Sequence, residues 1–277
     1  MSADAGRQRV SLDLHTPAGD HALVFELDRA RPVQAHMGDL LSQGRFYEAE
    51  TTVLLGSVLK PGDVFVDVGA HVGYFTIIAA ALVGPSGHVV SFEPSPEIYA
   101  ALVNHVRVNG VRHVWPMHWA VGADEGVAEL HLNADNDGGH ALWDVGTHVL
   151  NARSRERPRT YPVFVATLDR VLAGIAPGRV KAIKIDVEGN ELAVLRGARC
   201  VLETHRVPFV VAEINRHALA SLGTSEEALR DHMTDLGYET WFVAGSPPSL
   251  QRLERGQTMS GDSVFNVLFR RPGAEIG

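Results

Sequence analysis

Apolar residues recur along this chain in two alternating rhythms. Short apolar runs are followed by segments whose apolar positions fall three and four apart, the pattern of strands alternating with amphipathic helices. Residues 64–68 read as a strand, and Phe75, Ile78, Ala79 and Leu82 space out a helix that Gly84-Pro85 ends. The next strand covers 88–92. Ser95 is placed to cap a helix with Pro96 at its first position, and Ile98, Leu102 and Val106 line one face as far as Asn109-Gly110. A third strand spans 114–120. This order implies parallel strands joined by right-handed crossovers.

Residues 127–165 break the rhythm. They hold a strand at 127–132, a turn-rich loop at 133–139, a charged, exposed stretch at 153–159 and a short strand at 163–165. Such an insertion is a natural place for a substrate lid, or else a solvated loop. Alternation then returns, with a helix-like segment at 167–172, a strand at 180–187, a helix over 190–197 and a strand at 208–214. Thr224-Ser225-Glu226-Glu227 reads as a capping box opening a helix with Leu229, Met233 and Leu236, closed by Gly237. Strands at 238–243 and 263–269 finish the chain.

Ahead of all this, alternation at Leu12 and Leu14, then at Leu23, Phe25 and Leu27, predicts a hairpin turning at Pro17-Ala18-Gly19-Asp20. A helix is expected over 46–59, with Pro61-Gly62 stopping it. No repeat or linker is evident. The expected organisation is an N-terminal extension over 1–45, on the substrate side, and one domain over 46–277.

Composition narrows the class. The 277 residues are 45% hydrophobic and carry a formal charge of -8, which disfavours a polyanionic partner. No basic run offers a nucleic-acid footprint, and no apolar block is long enough for a bilayer span or a signal peptide. The single cysteine, Cys200, excludes an internal disulfide framework. A soluble, cytoplasmic protein of enzyme size is expected, without nucleic-acid or membrane partners.

Three features fall at the expected C-terminal ends of strands: Asp67-x-Gly69-x-x-x-Gly73, Glu93, and Asp186-Val187-Glu188-Gly189. That edge is where an open parallel sheet binds ligands. Glu93 follows the glycine turn by about 20 residues, the position from which a carboxylate accepts hydrogen bonds from ribose hydroxyls. The turn does not suit a pyrophosphate, because His71 occupies the middle glycine position and Asp67 precedes it. A carboxylate there suits a cation. S-adenosylmethionine carries a sulfonium and an ammonium but no phosphate, so it is the favoured cofactor. The rivals are a nicotinamide-dependent (NAD) oxidoreductase and a nucleoside-binding module without catalysis.

The phrases "LKPGDVFVDVGAHVGYFT", "SFEPSPE", "NHVRVNG", "ATLDRVL", "IKIDVEGNELAVLRGA" and "VVAEI" resemble the FkbM-type S-adenosylmethionine-dependent methyltransferases over roughly residues 45–215. A weaker echo, "NVLFRR", lies near the end. The resemblance implies an α/β, class I methyltransferase Rossmann-like fold: a mostly parallel seven-stranded sheet, helices on both faces and an antiparallel last strand. It also implies O-methylation of a hydroxyl on a small molecule, in natural-product or glycan chemistry. The family commonly has Asn where this chain has His71. Both side chains donate a hydrogen bond, so cofactor binding should survive, and a local turn role is expected of His71.

Expected cofactor contacts are Asp67, Gly69, His71, Gly73, Glu93 and Asp186, with adenine near Ala120, Val121 and Gly122. Strand alternation puts Lys184, Asp186 and Glu188 on one side, either as a charge network shaping the pocket or with Asp186 beside the reacting groups. Glu191 reads as a first-turn acid favoured by the helix dipole. Candidate catalytic groups are Asp186, Glu213 at the next strand end, and His217 in the loop after it, with His140 a lesser candidate base. Magnesium through Asp186 and Glu213 is possible but not favoured, and no metal ligand is assigned.

Overall fold

The computed structural model describes residues 6–17, 19–175, 179–245, 248–257, 259, 261 and 264–277. Ala18 of the expected hairpin turn and Ser263 of the expected last strand lie outside them.

The first half of the chain runs β1 (Arg7–Thr16), β2 (Gly19–Asp28), α1 (Pro32–Leu41), α2 (Ala49–Val58), β3 (Val64–Val68), α3 (Tyr74–Val83), β4 (His88–Phe92), α4 (Pro96–Val108) and β5 (Val114–Met117). The insertion holds β6 (Ala120–Val121), β7 (Gly126–His131), α5 (Ala152–Glu156) and β8 (Thr160–Ala166). The rest comprises α6 (Leu168–Val171), β9 (Val180–Ile185), α7 (Glu191–Arg196), α8 (Arg199–Thr204), β10 (Phe209–Asn215), α9 (Arg216–Ser221), α10 (Glu226–Asp235), β11 (Glu239–Ala244), β12 (Ser249–Leu253) and β13 (Val264–Arg270).

The main sheet has the order β12-β11-β13-β10-β9-β3-β4-β5. Strands β5, β4, β3, β9 and β10 are parallel, whereas β13 runs antiparallel between β10 and β11. Strand β12 adds an eighth, edge strand to the seven expected, paired antiparallel to β11. Every residue of β3 is buried, as a strand covered by helices on both faces requires. Order reverses between β3 and β9, which opens a crevice at their C-terminal ends.

One apolar core gathers α2, α3 and the β1–β2 hairpin on one face of the sheet, and a second gathers α7, α8 and α10 on the other. Helix α3 is buried on every side because the hairpin covers it. The hairpin is bound to α4 through its polar backbone edge. Asn109 accepts from the Val24 N–H and donates to its carbonyl, both at 2.8 Å, and His105 Nε2 accepts from the Glu26 N–H at 2.8 Å.

Several boundaries differ from the sequence pattern. The strand expected over 114–120 divides. β5 stays at the sheet edge, where Pro116 costs no ladder bond, and Ala120–Val121 joins a separate three-stranded sheet, β6-β8-β7. Helix α2 begins only at Ala49, because Glu48 takes a left-handed φ of 41°. Strand β9 stops at Ile185, since Glu188 and Gly189 both have positive φ. Ser225, not Thr224, caps α10, its hydroxyl accepting from Ala228 N–H at 3.1 Å. His217 lies on α9 rather than in a loop. Among the described residues, no helix is long and apolar enough to cross a membrane.

Candidate active site

The turn after β3 is shaped first by the chain around it. Gly69 has φ 80°, and a Cβ there would lie 1.8 Å from the Asp186 carbonyl oxygen. The glycine therefore lets β3 and β9 approach at the reversal point. Gly73, at φ 89°, makes room for Leu102, whose Cδ1 would sit 2.4 Å from an added Cβ. It packs α3 against α4 and is not among the residues lining the cavity. His71 also takes a left-handed conformation, at φ 50°, one that Asn and His tolerate better than most residues.

Above this turn lies a cavity of about 300 Å³, walled by the ends of β3, β4, β9 and β10, by α1 and by residues 136–142 of the insertion. Glu93 lines it. Its Oε1 accepts from Ser95 N–H at 2.8 Å and its Oε2 from His71 N–H at 3.0 Å. An ionised carboxylate has about four acceptor positions, so one on each oxygen is left for a ligand. Burial pushes the Glu93 carboxyl up to about 7, against the opposing hydrogen bonds.

Asp67 is placed differently from the sequence expectation. It is fully buried and does not line the cavity. Thr76 Oγ1 donates to its Oδ2 at 2.6 Å, and Oδ1 has no partner. Burial raises its pKa, against the opposing Lys184 charge and Thr76 hydrogen bond, and Asp67 sits behind the wall.

The far end of the cavity is acidic. Lys184, 3% exposed, donates to Asp186 Oδ2 at 2.9 Å and lies 4.7 Å from the centre of the Phe75 ring. Asp186, Glu188, Glu213 and Glu48 all line the cavity around it. Burial, then the charge of Asp186, raises Glu188 to about 8 and Glu213 well above the ordinary range. Burial raises Glu48 to about 7. Glu188 Oε2 accepts from Asn215 Nδ2 at 2.9 Å. Glu191 stands in the first turn of α7, as expected, and its Oε1 accepts from the N–H groups of Val187 and Gly189 at 3.2 and 3.0 Å.

Ala120 and Val121 line the cavity beside Trp119 and Leu142, an apolar wall suited to a flat ring, whereas Gly122 lies outside it. His140 also faces the cavity. Asn133 N–H donates to its Nδ1 at 3.0 Å, so its proton resides on Nε2. Burial lowers its pKa to about 4, so the imidazole is neutral at pH 7, with Nδ1 occupied by Asn133 and Nε2–H available as a donor. His217 is exposed and is not among the cavity residues. Its ring centre lies 4.4 Å from that of His148 and 5.6 Å from that of Trp143. The charged segment 153–159 contributes nothing to the cavity. Among the described residues, no group of three or more His, Cys, Asp or Glu side chains is arranged to hold a metal ion.

The sequence pattern missed Tyr47 and Glu48, because the left-handed break before α2 leaves no mark in the hydrophobic rhythm. Asp137 was read only as part of a turn-rich loop.

The lining contains no arginine, and its one lysine is engaged by Asp186. A pyrophosphate would find no unengaged cation in that lining. Glu93 keeps acceptor positions facing the cavity, and Ala120 and Val121 offer an apolar wall. Fold and cavity together define a class I S-adenosylmethionine-dependent methyltransferase.

The sequence signature described as Methyltransferase FkbM domain matches residues 67–240, more than half of the chain. The chain belongs to the FkbM methyltransferase family. It is 30% identical to the 31-O-demethyl-FK506 methyltransferase FkbM of Streptomyces tacrolimicus, over 64% of this chain and 74% of that protein. It is 27% identical to the hexuronic acid methyltransferase AglP of Haloferax volcanii, over 72% of this chain and 76% of that one. Among solved structures it is similar to the methyltransferase FkbM from Methylobacillus flagellatus KT, with TM-score 0.46 and 16% identity over 76% of this chain. The match spans only 43% of that structure's chain.

Proposed function

We propose that this protein is an O-methyltransferase acting on a hydroxyl group of a small molecule, in natural-product or sugar chemistry. The observation that carries this reading is the division of one cavity into two ends. Glu93, Ala120 and Val121 form an end suited to adenosine, and Asp186, Glu213, Glu48 and Glu188 form an end rich in proton acceptors. The names of the two relatives, one for 31-O-demethyl-FK506 and one for a hexuronic acid, agree with a hydroxyl acceptor.

Bound S-adenosylmethionine would supply an electrophilic methyl group. Glu93 would hold its ribose, and the backbone at Gly69 and His71 would flank it. Asp186, kept in place by Lys184, is the first candidate to take the acceptor's hydroxyl proton, and Glu213 the second. Proton removal of this kind contributes about 10²–10⁴-fold. Walls from α1 and from residues 136–142 would exclude water and hold the acceptor in line. His217 has no part in this reading.

Purified protein supplied with methyl-labelled S-adenosylmethionine and a panel of polyhydroxylated acceptors should yield an O-methyl product, identified by its NMR methyl shift, together with S-adenosylhomocysteine. Binding of NADH without binding of either adenosyl compound would overturn the reading. Inclusion of a chelator in the same assay tests the less favoured magnesium-dependent version.

A further inference from the structure

The insertion meets the glycine turn through one buried carboxylate. Asp137 is 5% exposed, yet it receives hydrogen bonds from two segments far from it in sequence. Val33 N–H donates to Oδ1 at 2.8 Å, and Gln34 Nε2 donates to Oδ2 at 3.1 Å. The His71 ring donates from Nε2 to Oδ2 at 3.2 Å.

Each bond answers a local need. Helix α1 starts with Pro32, and no side chain at its N-cap, Arg31, satisfies the free N–H groups of the first turn. Asp137 provides both the missing acceptor and a negative charge at the positive end of the helix dipole. Gln34 is itself buried, and its Oε1 accepts from the Asp28 N–H at 3.0 Å, which ties the link to the end of β2. On the other side, the His71 ring is held while its backbone N–H donates to Glu93 Oε2 at 3.0 Å. An unbroken series therefore runs from α1 through Asp137 and His71 to Glu93. Val33, Met37, Asn136, Gly138 and His140, which flank it, all line the cavity.

We propose that Asp137 is a positioning residue of the cofactor pocket: acting through His71 it holds Glu93 in place, and it clasps helix α1 and the insertion together over the ribose end. The proposal rests on Glu93 being the ribose acceptor. It also assigns His71 a task beyond the turn, because its ring carries the bond to Asp137. Burial disfavours ionisation of Asp137, but the hydrogen bond and charge of His71, with the bonds from Val33 and Gln34, hold its carboxyl down at about 2. Asp137 is therefore ionised at neutral pH.

Calorimetric titration with S-adenosylhomocysteine tests the series in wild type, Asp137→Ala, Asp137→Asn, His71→Ala and the double variant Asp137→Ala/His71→Ala. Each alanine variant should weaken binding by about 10–100-fold, the scale of a lost charge-assisted hydrogen bond. The double variant should be little weaker than either single one, because both break the same link. Asp137→Asn keeps an acceptor for Val33 and should recover part of the loss. Stopped-flow tryptophan fluorescence, with Trp119 in the cavity wall, should place the effect in the dissociation rate.

Hydrogen exchange supplies a readout that needs no ligand: Asp137→Ala should speed exchange at the His71 amide as well as at Val33. Two results would overturn the proposal alone. One is wild-type affinity in a folded Asp137→Ala protein that merely melts earlier, and the other is unaltered exchange at His71. If wild type itself ignores S-adenosylhomocysteine, the ribose reading falls and this proposal falls with it. Should Asp137→Ala not fold, His71→Ala tests the link from the other side.

Discussion

Replacing Glu93 with glutamine probes the adenosine end most directly. The carboxylate already accepts from Ser95 and His71 N–H groups at 2.8 and 3.0 Å. Glutamine has one acceptor oxygen and one NH2 group, so its nitrogen must face one of those two donors. One buried backbone N–H loses its partner, and the ligand loses an ionised acceptor. Hydrogen bonds to a charged group are worth about 1.5–3 kcal/mol each, and the amide retains part of the interaction. A loss of about 2–3 kcal/mol is expected, roughly 30–150-fold in Kd.

The pH profile gives a second, independent measure. Burial raises Glu93 to about 7. Ribose hydroxyls bond the ionised carboxylate more strongly than the neutral acid, so protonation of Glu93 opposes the ligand. Wild-type affinity should therefore fall as pH drops below about 7, by at most about tenfold per unit. Glu93→Gln should lose that component. Titration calorimetry with S-adenosylhomocysteine between pH 6 and 8.5, with near-ultraviolet circular dichroism to confirm folding, measures both effects. Equal affinity with parallel pH profiles in the two proteins would refute the assignment of Glu93 to the ribose.

Three further outcomes are expected. Lys184→Met leaves Asp186, Asp67 and Glu48 without their shared cation and should cost about 3–5 kcal/mol of stability, seen as a lower urea midpoint. An unchanged midpoint would show that the lysine is not the neutralising group. Gly69→Ala pushes a methyl into the Asp186 carbonyl at a positive φ and should sharply lower Tm, whereas Gly44→Ala, in open space at φ 67°, should cost far less. His140 is held near 4 by burial, below its ordinary 6.5, so the unfolded chain binds the extra proton as pH falls between those values. Wild type should then lose stability on acidification more steeply than His140→Gln, by about 3 kcal/mol at most. Parallel curves of Tm against pH would contradict a buried neutral imidazole.

The strand and helix rhythm from residue 64 to 108 was legible because each element there buries a continuous face, which forces a clear apolar period on the sequence. The glycine turn and Glu93 were legible for a related reason: close backbone approach and a strand-end carboxylate each demand a residue type at a fixed position. Local chemistry of this kind is written in consecutive residues. Helix α1, α8 and edge strand β12 were missed, since short elements with mixed faces have little periodicity to betray them.

Tertiary structure decided what each polar group touches. Asp67 and Gly73 belong to the same motif as Gly69, yet they lie behind the wall while Gly69 lines it. His217 follows Glu213 closely in sequence but is exposed on α9 and is not among the residues lining the cavity. Glu48 and Asp137 reach the site from 45 and 44 residues away from Glu93, on either side of it in the chain. Apolar burial imposes a pattern that a linear sequence displays, whereas hydrogen-bond and charge partners are chosen by proximity in space, and only folding creates that proximity.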